Sequence, residues 1–304
     1  MIFRLKTGSR QVLTKPNLYY FLWRFGANGA RAYRALFNRK LFPDAEPIAQ
    51  EIAARGIVMS ASARFLSAEG QQALASASEE VLQISRRDEI QAIATGKQAN
   101  SNAKKDFIIH LVSRSQELSE DSPLLKVALD KKLLEIVSSY LGVWPQLYAI
   151  NAWLNYSTDD EAKASQLWHR DPEDLKIIKV FIYLVAVDEN CGPFSYIPKS
   201  HPFGSAAGNA IAYEKQKRVL DDEISEVYPS ESWMTCIGPA NTMILADTVG
   251  YHRGGKPSVG QRILISFTYT SGTPFSGRCF HLGKKPEWVT DDIQKYALKP
   301  EAGF

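Results

Sequence analysis

The chain has 304 residues, 45% of them hydrophobic, with three cysteines and a formal net charge of +3, enough to bury a core in one large domain or two small ones. No apolar window of about 18 residues occurs, and the opening "MIFRLKTGSRQVLTK" puts charges where a signal peptide needs its apolar stretch, so membrane spanning and secretion are not expected and a cytoplasmic location follows by default. Cys191, Cys236 and Cys279 are too few and too scattered for a disulfide framework, and there is no CxxC, so reduced thiols are expected.

Charge is uneven along the chain. Residues 1–43 carry nine Lys or Arg and no acid, leaving 27 basic against 33 acidic residues elsewhere. An anionic surface such as membrane or nucleic acid, an acidic partner subunit and a plain solvated helical appendage all fit, and composition favours the appendage.

In chain order, residues 1–42 read as helical and aromatic around "NLYYFLWRFGANGARAYRALF". Asp44 is placed to cap a helix stopping at Gly56, and Ser67 another through "AEGQQALASASEEVLQI". The polar segment 94–122 reads as a candidate lid. Ser122 as cap, Pro123 at the first helical position, apolar Leu125, Leu129, Leu133, Ile136, Val137 and Tyr140, and Gly142 at the end predict one helix.

After Gly142 the apolar period shifts from about 3.6 to about 2. Candidate strands are "QLYAINAWLNYS", "SQLWH", "IIKVFIYLVAV", "PFSYIP", "SWMTCIG", "NTMILAD" and "RILISFTYT", separated by turn signals such as "DENCGP", "GPAN" and "GGKPSVG". One helix, "AIAYEKQKRVLDDEI", interrupts them, and "PEWVTDDIQKYAL" predicts a closing helix. The expected fold is mainly β with flanking helices: a double-stranded β-helix, or jelly roll of cupin type. We expect a single domain over 1–304, with a mainly helical part over 1–142, the β-helix core over 143–275 and a tail over 276–304.

The stretch "QLWHRDPEDLKIIKVFIYL" carries the chemistry. On a strand, His169 and Asp171 project to one face and Arg170 to the other. His252, in "MILADTVGYHRGG", supplies a third ligand at the end of a later strand. Two imidazoles and a carboxylate on one face, with positions left open, suit a non-haem Fe(II) oxygenase. Arg262 follows ten residues after His252, on a strand that alternates Arg262, Leu264, Ser266 against Ile263, Ile265, Phe267. If Ile263 faces inward, Arg262 is a surface residue; if Arg262 points into the barrel, it needs an anion. No acid on that strand provides one, and a dicarboxylate co-substrate would do so through a bidentate contact.

At these residues the chain resembles the phytanoyl-CoA dioxygenase-like family of Fe(II)- and 2-oxoglutarate-dependent oxygenases. The resemblance runs over about residues 146–272 through "WHRD", "DENCGPFSYIPKSH", "YHRGG" and "QRILISFTY", with an echo in "EIAARGIVMSASARFLSAEG". It implies His169, Asp171 and His252 as iron ligands, Arg262 on the far carboxylate of 2-oxoglutarate, and Gln166 as a further contact to that co-substrate. Strict strand alternation would not bring Gln166 to the ligand face, so that assignment calls for a bulge. Two departures stand out: Lys199 replaces the glycine of the family's Pro-Gly-Ser-His turn, and Leu264 sits where some relatives of the wider superfamily place a serine. Asp171 is present where halogenating members carry Ala or Gly, which favours hydroxylation or another oxidation. The implied reaction uses dioxygen and 2-oxoglutarate, released as succinate, to oxidise a small organic substrate.

Other signals weigh less. "GYHRGGKP" has Pro257 where a nucleotide-binding loop needs Ser or Thr, and GxSxG and GxGxxG are absent. His201 is expected as a turn residue, and His110 and His281 as core histidines. Asn151, Trp153 and Asn155 share a face and are candidates for a substrate pocket. Lys179, Phe181 and Tyr183 also share one, with its direction left open. Two alternatives stand beside the small-molecule oxygenase: a nucleic-acid or protein modifying oxygenase that recruits the basic arm, and a non-enzymatic metal-binding barrel of cupin type.

Overall fold

A computed structural model describes residues 16–38, 40–100, 105–112, 117–202, 218–275, 277 and 279–299. Helices α1 (Pro16–Phe21) and α2 (Gly29–Phe37) open it, joined by a π-helical turn over Leu22–Ala27. Then come α3 (Ala45–Arg55), β1 (Ile57–Ala61), α4 (Ala68–Ser85), α5 (Asp88–Ala94), β2 (Ile108–Val112), β3 (Glu117–Leu118), α6 (Pro123–Ala128) and α7 (Lys131–Leu141). The remainder comprises β4 (Gln146–Tyr156), β5 (Ile178–Tyr183), β6 (Phe194–Tyr196), α8 (Asp221–Ser225), β7 (Met234–Cys236), β8 (Thr242–Asp247), β9 (His252–Gly254), β10 (Gln261–Thr270), β11 (His281–Leu282) and α9 (Asp292–Leu298). The architecture is mixed α/β.

Six strands form one antiparallel sheet in the order β1-β8-β5-β10-β4-β2, and three form a second in the order β7-β6-β9. The large sheet carries an apolar cluster on each face. Met243, Leu245, Ile263, Ile265 and Phe267 pack in one cluster with α3, α4, α6 and α7, through residues such as Ile52, Leu74, Leu125 and Ile136. On the opposite face Phe181, Tyr183, Ile244 and Leu264 join Phe194, Tyr196 and Cys236 of the small sheet. The two sheets therefore share the second cluster, and what projects from β4, β5 and β10 into the space between them is enclosed.

Several local expectations meet a different outcome. Ser67 caps α4 by accepting from Gly70 N at 3.1 Å, and α3 ends at Gly56, but the Asp44 side chain makes no capping bond. The helix expected from Ser122 to Gly142 is two helices. Asp130 interrupts it: Oδ1 accepts from Leu133 N at 3.0 Å to cap α7, and the same carboxylate takes Ser67 N and Oγ. The Leu125, Leu129, Leu133 spacing continues across this break, so the apolar period gives no sign of it. Gly142 closes α7 in the left-handed region at φ 74°, where a side chain would be strained.

Segment 94–122 is only partly described, and its described part contains β2, paired with β4 at the edge of the large sheet. "SQLWH" is not a strand but a 3-10 turn over Ala164–Gln166 followed by isolated bridges. Of the inserted helix expected over 210–224, residues 210–217 lie outside the described residues; Val219 pairs with Trp168, and helix begins only at Asp221. Among the described residues no helix is long and apolar enough to cross a membrane. Cys191, Cys236 and Cys279 are free thiols.

Candidate metal centre

The turn over Ala164–Gln166 sends the chain across the end of the small sheet. There His169 and His252 face each other in a reciprocal bridge: His169 N donates to His252 O at 2.9 Å, and His252 N to His169 O at 3.0 Å. Asp171 N donates to Thr248 O at 2.8 Å, which keeps the two segments together for two further residues. Arg170 projects the other way, Nε to Val249 O at 2.6 Å and Nη2 to Ser200 O at 3.1 Å, and so fastens the loop that leads into His252.

His169, Asp171 and His252 are thereby brought together, with their ligand atoms within 4.8 Å of one another. His169 Nε2 lies 3.8 Å from Asp171 Oδ1 and His252 Nε2 lies 3.4 Å from Asp171 Oδ2. Nδ1 of His169 is 2.9 Å from Leu167 O, and Nδ1 of His252 is 3.0 Å from Gly250 O. A carbonyl can only accept, so a neutral ring places its proton on Nδ1 and keeps the Nε2 lone pair for a metal, the usual arrangement for a ligating histidine. Burial, then the neighbouring His252, push the pKa of His169 well down against the pull of Asp171, which favours the neutral ring. Burial would raise the Asp171 carboxyl, but Lys179 and the two histidines outweigh it and hold the group ionised, well below the usual carboxylate range.

Lys179 is the residue that sequence reasoning left undecided. Its Nζ lies 2.6 Å from Asp171 Oδ2 and 3.7 Å from Glu173 Oε1. It projects from β5 on the same face as Phe181 and Tyr183, both in the cluster shared by the two sheets, so this face is the enclosed one.

Arg262 stands on the enclosed face with Leu264 and Ser266, as the alternation of its strand requires, and is 4% exposed. Its Nη2 donates to Asn155 Oδ1 at 3.3 Å, while Nε and Nη1 are buried without a partner. No carboxylate pairs with it among the described residues, and burial pushes its pKa down. Gly254 allows the guanidinium to lie this close to the backbone, since a Cβ there would be 3.0 Å from Nη2. Gln166 is also buried. Its Oε1 accepts from Lys163 N at 3.0 Å and its Nε2 has no partner. The 3-10 turn beside β9, not a bulge in a strand, positions it.

The donor set fits the groups expected from sequence. Two imidazoles and a carboxylate suit Fe(II). The unmet donors of Arg262 and Gln166 suit an anionic co-substrate.

The remaining candidates separate. His201 is buried away from the cluster, Nε2 3.1 Å from Ala53 O. His110 and His281 are exposed rather than in the core; His110 meets the Trp153 ring edge-on at 6.4 Å between centroids. Asn151 and Trp153 line a cavity beside Lys179, and Asn155 holds Arg262. Lys199 adopts φ 68°, in the left-handed region. A larger cavity of about 390 Å³, between α2, α7 and α9, takes no residue from the cluster.

No protein-family model and no curated protein matches the chain. Solved structures do resemble it. The crystal structure of the non-heme alpha ketoglutarate dependent epimerase SnoN from nogalamycin biosynthesis is similar at TM-score 0.51 and 16% identity, over 76% of this chain and 84% of that one. The crystal structure of EctD from S. alaskensis in its apoform is similar at TM-score 0.50 and 16% identity, over 86% of this chain and 90% of that one. At such identities the likeness is one of fold: the large antiparallel sheet and its flanking helices are arranged as in these non-haem iron and EctD structures.

Proposed function

We propose that the chain is an Fe(II)- and 2-oxoglutarate-dependent oxygenase of the phytanoyl-CoA dioxygenase-like kind, with a double-stranded β-helix core in a single domain, acting on a small organic molecule. The observation that carries this reading is the pairing of a His169, Asp171, His252 cluster with a buried arginine that has no carboxylate of its own. SnoN has been crystallised with Fe3+, alpha ketoglutarate and nogalamycin RO, and EctD with 2-oxoglutarate and 5-hydroxyectoine.

In this reading the histidines and Asp171 hold iron, which when bound supplies the activation of dioxygen coupled to keto-acid decarboxylation. The chain's own residues do the positioning. Leu167 O and Gly250 O fix the tautomers that present Nε2. Arg262, held by Asn155, takes the distal carboxylate of 2-oxoglutarate, and Gln166 Nε2 donates a further hydrogen bond to it. The shared apolar cluster around Phe181, Phe194 and Leu264 keeps water from the keto acid and strengthens the charge pairing.

The described part of the basic arm favours a small substrate over a nucleic acid. Arg24, Arg31 and Arg34 turn inward onto Gly142 O, the carbonyls of Trp144 and Pro145, and the Tyr296 hydroxyl. The large side chains exposed on α1, the π-helical turn and α2 are apolar, among them Phe21, Leu22, Tyr33, Leu36 and Phe37. The test is 2-oxoglutarate turnover by purified, iron-loaded protein across a panel of small molecules. Succinate release that depends on Fe(II) and is stimulated by panel members supports the reading. Protein that takes up metal but neither binds nor consumes 2-oxoglutarate is a metal-binding barrel instead.

A further inference from the structure

On the enclosed face, beyond Leu264, β4, β5 and β10 border a polar cavity of about 90 Å³ whose lining includes Asn151, Trp153, Glu173, Lys179, Ser266 and Thr268. Three polar atoms on these residues are buried without a hydrogen-bond partner: Trp153 Nε1, Ser266 Oγ and Glu173 Oε2. Ser266 is 1% exposed. Buried polar groups in folded proteins are almost always paired, and three orphans lining one cavity mark a site built for a ligand.

The cavity is separate from the place proposed for 2-oxoglutarate. Arg262, Ser266 and Thr268 share a face of β10, which puts Ser266 roughly 13 Å and Thr268 roughly 20 Å along the strand from Arg262, at ~3.3 Å per residue. A five-carbon diacid anchored on Arg262 ends well short of Thr268. The cavity nevertheless borders the metal cluster, because Lys179 lines it and touches Asp171.

We propose that this cavity binds the amine-bearing end of the substrate. A carboxylate oxygen accepts hydrogen bonds, so the buried, unpartnered Glu173 Oε2 calls for a donor, and an amine supplies one. A hydroxyl or carbonyl oxygen beside that amine accepts from Trp153 Nε1 and from Ser266 Oγ. Lys179 is already shared between Asp171 and Glu173, so the cavity does not need a ligand carboxylate. At ~10–15 Å³ per water-sized group, there is room for roughly six to nine non-hydrogen atoms. The inference rests on the oxygenase reading and names the substrate class of the same site.

The test uses full-length protein loaded with Mn(II) and 2-oxoglutarate. The probes are 1-amino-2-propanol and its amine-free counterpart of equal size, 1,2-propanediol. Paramagnetic broadening of probe protons reports binding beside the metal. The amine should be broadened at about tenfold lower concentration than the diol. Glu173→Gln should abolish that preference, and Ser266→Ala should weaken both probes about threefold. Equal broadening of amine and diol, no broadening by the amine, or a preference that survives Glu173→Gln overturns the proposal while leaving the oxygenase reading intact. Failure of wild-type protein to take up Mn(II), seen by EPR, or to bind 2-oxoglutarate defeats that reading and this inference with it.

Discussion

Lys179 Nζ sits 2.6 Å from Asp171 Oδ2, closer than His252 Nε2 at 3.4 Å, with Glu173 Oε1 as a second partner at 3.7 Å. The ammonium thus holds the carboxylate in place and has somewhere to turn when a metal claims it. A divalent metal ion and a unit positive charge about 4 Å apart repel by about 8 kcal/mol at an effective dielectric constant of ~20. Lys179→Met is therefore expected to tighten Mn(II) or Fe(II) binding about tenfold, measured by calorimetry. Weaker binding would mean that the lysine's main task is to orient Asp171.

Arg262 sets function against stability. It is buried, bonded only to Asn155 among the described side chains, and no carboxylate offsets its charge. Replacing a poorly paired buried charge by an apolar group of similar volume often stabilises by about 1–4 kcal/mol. Arg262→Met should raise the melting temperature of protein free of keto acid, leave metal uptake unchanged and weaken 2-oxoglutarate binding at least 100-fold. Thermal unfolding and titration calorimetry on the same samples check the three together. Retained 2-oxoglutarate affinity would remove the arginine from the proposed site.

Asp174 couples stability to pH. It is buried, and burial pushes its carboxyl up to about 6 despite bonds from Ser271 N at 2.7 Å, Trp23 Nε1 at 2.8 Å and Leu175 N at 2.7 Å. The folded pKa is above the unfolded one, so the folded state binds more protons and this group's contribution is lost as pH rises from about 4 to about 6. At ~1.4 kcal/mol per unit the loss is about 3 kcal/mol. Asp174→Asn should flatten that part of the stability curve, read as the difference in urea midpoint between wild type and variant across the window. Parallel curves would refute it.

Asp130 ties two segments through one carboxylate, which caps α7 and accepts from Ser67 N and Oγ. An N-cap contributes about 1 kcal/mol, and an unmet buried donor costs about 1–3 kcal/mol. Asp130→Ala should destabilise by about 2–4 kcal/mol, and Asp130→Asn by less. Chemical denaturation of both variants checks the order.

Lys199 holds a left-handed φ of 68°, which costs a non-glycine residue roughly 1–2 kcal/mol. Lys199→Gly should stabilise by about 0.5–1 kcal/mol, part of the relief being offset by the greater freedom of glycine in the unfolded chain. A lower melting temperature would show that the lysine side chain contributes more than its backbone costs.

Local chemistry was readable where one residue decides the outcome. Ser67 as a cap, Gly142 as a stop and the change of period after it, and the alternation that puts Arg262 with Leu264 and Ser266 are all properties of a few adjacent residues. The break at Asp130 was not readable, because the apolar spacing runs unbroken through it and the deciding contact comes from Ser67, far away in sequence. The strand β2 was hidden by its polar flanks, and "SQLWH" was misread as a strand because its apolar residues pack from a turn and two isolated bridges.

By itself, the sequence determined the residue types that can hold a metal and a diacid and their order along the chain. Only the tertiary structure decided that His252 pairs with His169, that Lys179 reaches Asp171, and which side of β10 is enclosed. The physical reason is that β5, β8 and β10 are buried on both faces, so their period of two has no solvent side to fix its direction. That direction comes from what packs on each face, helices on one and the small sheet on the other, and such partners are chosen across the whole chain.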